Sequence, residues 1–212
     1  FPLFQLYTAA FGTFRNIQQR AIHVGFAFFL CFALIPAKKI KRGYDQIPIW
    51  DLICMGFAIL ITVYMFIQYD WIMDHPTESS NMDIFLGIVT ILILLEAGRR
   101  AVGVAFPILT IVFLMYAYFG TYFPGMWGHR GLGIDVIIQE IFLSDRGIWG
   151  MVTGISATVV AMFIIFGVVL HHTGGGQAFV DIALRVAGRL KGGAGKISVV
   201  SSSLFGMLSG SA

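Results

Sequence analysis

Charge is what this chain has least of. Lys, Arg, Asp and Glu together make up 12% of its 212 residues, about half the share usual in soluble domains. The remaining apolar residues fall in long blocks, which excludes an ordinary water-soluble core. Cysteine is nearly absent too. Cys31 and Cys54 both sit inside apolar runs, so neither a disulfide framework nor a metal-ligand spacing can be assembled, and both read as small packing residues. A phosphate-binding loop is missing: Gly193-Ala-Gly-Lys196 has Leu190 where the pattern needs its first glycine and Ile197 where it needs Ser or Thr. Basic residues are not interleaved with aromatics on a soluble face, which excludes nucleic acid as a partner. Ser209 or Ser211 as a nucleophile, with His171 or His172 as base, lacks any group to orient the imidazole, and two histidines alone make no metal site. The residues present thus point away from enzyme chemistry and from any organic cofactor.

What the chain does have is hydrophobic length. Hydrophobic residues make up 58% of it and its mean hydropathy is +0.84. The fold class that follows is all-α, a polytopic integral membrane protein embedded in a lipid bilayer. Residues 20–36, 49–69, 83–98, 101–123 and 148–172 read as five spans, judged against the ~20 apolar residues that cross a bilayer. Residues 1–12 are too few to cross. Trp50 and Tyr69 bracket the second span as interfacial aromatics do, and His23 near the start of the first reads as a satisfied interface histidine. Pro107 predicts a kink in the fourth. Gly150, Gly154, Ser156, Ala157 and Ala161 predict a fifth span packed closely against neighbours. Residues 134–143 place Asp135 and Gln139 on one face with Glu140 beside them, a pattern for a short surface or re-entrant helix.

The few charges are sorted. Lys38, Lys39, Lys41 and Arg42 form one basic cluster, Arg99 and Arg100 a second, and Arg185, Arg189, Lys191 and Lys196 a third, each beside an apolar block. The loop 70–83 carries Asp70, Asp74, Glu78 and Asp83 and neither Lys nor Arg. Placing all basic clusters in the cytoplasm gives a consistent in–out alternation of the five spans. Glu96 is the one acid well inside an apolar block. It stands three and four positions before Arg99 and Arg100, so an ion pair on one helix face is the expectation. Gly174-Gly175-Gly176 breaks the fifth helix. Gln177, Asp181, Arg185 and Arg189 then recur every fourth residue, the stripe of a helix lying on the membrane surface or on another helix.

The final stretch, residues 196–212, is apolar yet crowded with Ser198, Ser201, Ser202, Ser203, Ser209 and Ser211. Two readings stand. A re-entrant half-helix would turn at a Ser/Gly-rich tip inside the membrane, where non-helical backbone must be covered by protein or line a wet cavity, and its hydroxyls and carbonyls would suit a small cation or a polar substrate. An ordinary helix would use the same small residues for close packing. The chain opens on Phe1 and stops within this stretch, so it reads as a piece of a longer protein cut at both ends.

From Gly174 the pattern G-x-G-x-A-F-x-D-I-A-L-x-x-x-G-R-x-x-G-G-x-x-K-x-x-V-x-S-S-x-x-F-G-x-x-S-G-S resembles the large membrane subunit of TRAP transporters, in the fused permeases that pair with TAXI-type binding proteins. Leu6-Tyr-Thr-Ala-Ala-Phe-Gly12, Glu96-Ala-Gly-Arg-Arg100, Pro107-Ile-Leu and Phe123-Pro-Gly-Met-Trp-Gly-His-Arg130 extend the resemblance over essentially the whole chain. It implies a small-subunit-like region at 1–100 with its first helix truncated, a connecting transmembrane helix at 101–123, and the start of the large transport subunit at 124–212. It further implies a sodium-coupled elevator for organic acids in the bacterial inner membrane, fed by a periplasmic substrate-binding protein. The family's first hairpin tip, S-G-[ST]-[SA], is matched by Ser209, Gly210, Ser211 and Ala212, which marks these as sodium or substrate residues. The alternative is a non-transporting membrane anchor or scaffold subunit.

Overall fold

The computed structural model describes residues 1–35, 37, 48–75, 78–187 and 193–209, and all regular structure among them is helical. Four helices are long and apolar enough to cross a membrane: Asn16–Leu34, Ile49–Ile67, Asn81–Ala101 and Met151–His172. The basic cluster Lys38, Lys39, Lys41 and Arg42, and the third cluster's Arg189 and Lys191, lie outside the described residues. The chain forms two compact units, Thr13–Gly154 and a second made of Phe1–Gly12 with Ile155–Ala212.

The Thr13–Gly154 unit is built on α2 (Asn16–Leu34), α3 (Ile49–Ile67) and α5 (Asn81–Ala101), which pack on one another. Ile17, Ala21, Phe28 and Phe32 of α2 recur at helical spacing and are buried, as are Ala58, Ile61 and Met65 of α3 and Leu86, Ile93 and Ala97 of α5. The outward faces are equally apolar: Leu30, Ile59, Val63 and Leu92 are exposed, as a lipid-facing surface requires. A short helix α4 (Tyr69–Asp74) follows α3.

Helix α5 starts where it does because Ser80 and Asp83 form a reciprocal capping box. Asp83 Oδ2 accepts from the Ser80 backbone N–H at 2.7 Å, while its Oδ1 accepts from the Tyr64 hydroxyl at 2.6 Å. One fully buried carboxylate therefore sets the start of α5 and ties it to α3.

Gly103, at φ 112°, breaks the chain after α5. Helix α6 (Ala105–Tyr118) then spans 14 residues, or about 21 Å, rather than the span expected over 101–123. The predicted kink at Pro107 is absent for a local reason. Pro107 is the third residue of α6, where a missing N–H breaks no helical hydrogen bond, so it helps start the helix instead of bending it. Beyond Tyr118 the chain tightens into single 3-10 turns at Gly120–Tyr122 and Gly125–Trp127.

Helix α7 (Ile134–Ile138) runs on as a π-helical turn, Gln139–Leu143. Ile138, Phe142 and Leu143 are buried, and Ile138 and Phe142 lie against α5 at Gly87, where a side chain would collide with them. The segment is thus part of the helical core. Trp149 packs beneath it, its indole N–H donating to the Phe142 carbonyl, and Arg20 of α2 donates in turn to the Trp149 carbonyl.

The helix Met151–His172 consists of α8 (Met151–Ile155), a π-helical turn Ser156–Val160, and α9 (Ala161–His172). In the second unit, α1 (Pro2–Phe11) packs on that π turn and on α9, and its Gln5 and Thr8 are buried. Gly174 ends α9 at φ 83°. The remaining helices, α10 (Gly175–Ala187) and α11 (Gly193–Ser209), pack on each other and on α9. Gln177, Asp181 and Arg185 follow one stripe of α10. No ion pair joins Asp181 to Arg185 among the described residues, in keeping with the small gain available to exposed charges.

Candidate functional site

Two places concentrate polar chemistry in this apolar chain. One is the serine-rich helix α11. Its glycine content lowers intrinsic helix propensity, yet it is helical from Gly193 to Ser209 and is held by packing on α9 and α10. By helical spacing Ser198, Ser201 and Ser202 share one face; Ser201 is half-buried, whereas Ser198 and Ser202 are exposed. Of the tip residues, Ser209 is the last of α11, and Gly210, Ser211 and Ala212 lie outside the described residues. Among the described residues no group of three or more His, Cys, Asp or Glu side chains is placed to hold a metal ion. A cation bound along this stretch would therefore depend on hydroxyl and carbonyl oxygens.

The other place is an ion-pair network where the ends of α2, α3 and α5 meet. Arg100 is its centre, with its side chain only 4% exposed. Its Nη2 lies 2.7 Å from Asp51 Oδ1, its Nε 2.7 Å from Glu96 Oε1, and its Nη1 donates to the Ile35 carbonyl at 3.1 Å. The guanidinium also lies 4.7 Å from the centre of the Phe32 ring, a cation–π contact. Arg99 completes the set by gripping both Glu96 oxygens at 2.8 Å. Arg100 thereby joins the residue capping α2, the first turn of α3 and the last turn of α5.

Placement on the helices suits the charges. Asp51 stands in the first turn of α3, and Arg99 and Arg100 stand in the last turn of α5, each complementing the local helix dipole. The pairing of Glu96 with both arginines is the one its spacing predicts. Asp51 is the partner that sequence reasoning missed. An acid in the first turn of an otherwise apolar helix was the available signal, but its contact with Arg100 is 49 residues away in sequence. Asp51 Oδ2 is buried without a hydrogen-bond partner among the described residues, so the network leans heavily on Arg100.

This arrangement fastens α2, α3 and α5 to one another. Glu96→Gln in the complete protein is therefore expected to lower stability by under about 1 kcal/mol, the range for half-exposed pairs. Thermal unfolding of the purified protein checks it, and a loss of about 3 kcal/mol or more would contradict so modest a role.

Comparison with known proteins adds the last step. Residues 89–212 match the family model described as tripartite ATP-independent periplasmic transporter, DctM component. No curated protein and no solved structure matches the chain. The family match begins inside α5, runs through the packed turn at Trp149, and includes the whole serine-rich helix. Since it covers more than half of a chain whose helices are built to cross a membrane, the chain belongs to the DctM component family of tripartite ATP-independent periplasmic transporters.

Proposed function

We propose that the complete protein is a sodium-coupled, binding-protein-dependent secondary transporter of organic acids in the bacterial inner membrane. In this reading residues 1–100 are a small-subunit-like helical region, 101–123 connect, and 124–212 begin the transport subunit. Ser209, Gly210, Ser211 and Ala212 form the tip of its first re-entrant hairpin. The basic clusters face the cytoplasm, and the loops around Asp74 and Arg130 face the periplasm.

The observation that carries the proposal is helix α11. A serine-rich helix within the family-matched region packs on α9 and α10 and leads directly to the S-G-S-A sequence. Sodium is a hard cation that favours oxygen donors, and hydroxyls with unwound backbone carbonyls are the donors such a tip supplies. An organic acid's carboxylate would find hydrogen-bond donors in the same hydroxyls.

Ser211→Ala removes one oxygen and leaves packing nearly intact. In the complete permease it is expected to raise the sodium concentration for half-maximal uptake severalfold, at near-normal membrane levels. The test is substrate uptake into proteoliposomes, with the binding protein supplied, over a sodium titration. Unchanged sodium dependence would remove the tip from the ion site and leave the stretch as a packing helix.

A further inference from the structure

The segment after α6 pairs part of its backbone with itself beneath a bare apolar surface. Tyr122, Met126 and Trp127 are 82%, 94% and 68% exposed, a high exposure for three large apolar side chains on one short loop. A loop made for water lets solvent serve its backbone. This one pairs part of its backbone with itself. The Tyr122 N–H donates to the Phe119 carbonyl, Gly128 to Gly125, His129 to Gly120, and Leu132 to Ala117, all within 3.1 Å.

Side chains complete the pattern. The Tyr116 hydroxyl donates to the Trp127 carbonyl at 2.8 Å. His129 Nδ1 accepts from the Gly131 N–H at 3.1 Å, which leaves Nε2–H to donate to the Tyr116 carbonyl, also at 3.1 Å. The imidazole lies flush against Gly120, where any side chain would overlap it. The loop is thus braced on α6 by these bonds.

Charge and length point the same way. Residues 101–134 contain Arg130 as their one charged side chain. Helix α6 extends about 21 Å, short of the ~30 Å of a hydrocarbon core, so α6 by itself does not span one. Trp and Tyr favour the headgroup boundary.

We propose that the loop between α6 and α7 is a lipid anchor, with Tyr122, Met126 and Trp127 inserted into the bilayer interface at the end of α6 remote from Arg99 and Arg100. The occupant of this surface is lipid, since its near-absence of charge offers a protein partner few ion pairs and its exposed side chains are large and apolar. Inserted there, the loop extends the apolar reach of α6 and fixes the depth at which the Thr13–Gly154 unit rides.

The test uses a cysteine-free version of the complete permease in phosphatidylcholine vesicles, with a nitroxide attached through Met126→Cys or Tyr122→Cys. Power saturation compares access by oxygen, which concentrates in lipid, with access by a water-soluble nickel chelate. The oxygen-to-nickel ratio at both positions is expected to exceed severalfold that of Glu78→Cys, in an exposed loop, and to approach that of Phe113→Cys on the exposed face of α6. A ratio equal to that of Glu78→Cys would put the loop in water and overturn the proposal. Exclusion of both reagents would show it covered by protein and overturn it equally. Quenching of the fluorescence lost in Trp127→Phe by brominated acyl chains gives the same answer without labels, and no quenching would contradict the anchor.

Discussion

Arg100→Met in the complete permease is expected to lower stability by roughly 3–5 kcal/mol, the usual result of stranding a buried charge. The magnitude follows from what remains. Asp51 is 1% exposed and would keep its charge without the one cation that the described residues place on it, and one of its oxygens has no hydrogen-bond partner among those residues. The Ile35 carbonyl at the end of α2 would lose its donor, and Glu96 would keep Arg99 as its one ion-pair partner among the described residues. Arg100→Lys should recover little, because a single ammonium cannot reach three partners in the plane of a guanidinium. Removing both buried charges together, Asp51→Leu with Arg100→Met, should restore most of the loss, since the penalty lies in the unpaired ion. Thermal unfolding of the purified variants in detergent measures all three. If Arg100→Met melted with the wild type, the network would not be what fastens α2, α3 and α5.

Gly210→Val is expected to abolish uptake while leaving the protein in the membrane. Under the proposed hairpin, the chain reverses direction at Ser209–Ala212, and such reversals draw on backbone conformations that glycine alone adopts freely. Valine is branched at Cβ and is especially ill-suited to positive φ. A displaced tip would misplace the hydroxyls of Ser209 and Ser211 together, whereas Ser211→Ala removes just one. The two variants should therefore differ in kind, total loss against weakened sodium response. Uptake by Gly210→Val near the wild-type rate, measured at matched membrane levels, would mean that no tight turn forms there.

The spans were legible because apolar blocks of this length have few other uses. Residues 49–69 became Ile49–Ile67, and 83–98 became Asn81–Ala101. The end of the next block was misjudged because hydropathy registers apolar content and not backbone geometry: residues 101–123 are apolar throughout, yet Gly103 breaks the chain and α6 stops at Tyr118. Glu96 could be paired from sequence because its partners lie on the next helical turn. Asp51 could not, because its partner comes from another helix and only tertiary packing brings them together. The two π-helical turns, Gln139–Leu143 and Ser156–Val160, left no trace in the pattern of residue types. At the candidate tip, the residues allowed two readings, and the family resemblance favoured the hairpin.

Sodium-driven transport can be measured outright as uptake by the complete permease in proteoliposomes under an imposed sodium gradient, with its binding protein present. Accumulation of a labelled organic acid is expected to rise with the inward sodium gradient and to collapse when a sodium ionophore dissipates it. Accumulation indifferent to sodium would contradict the coupling. No accumulation under any gradient, with the binding protein still captured at the membrane, would identify an anchor in place of a transporter.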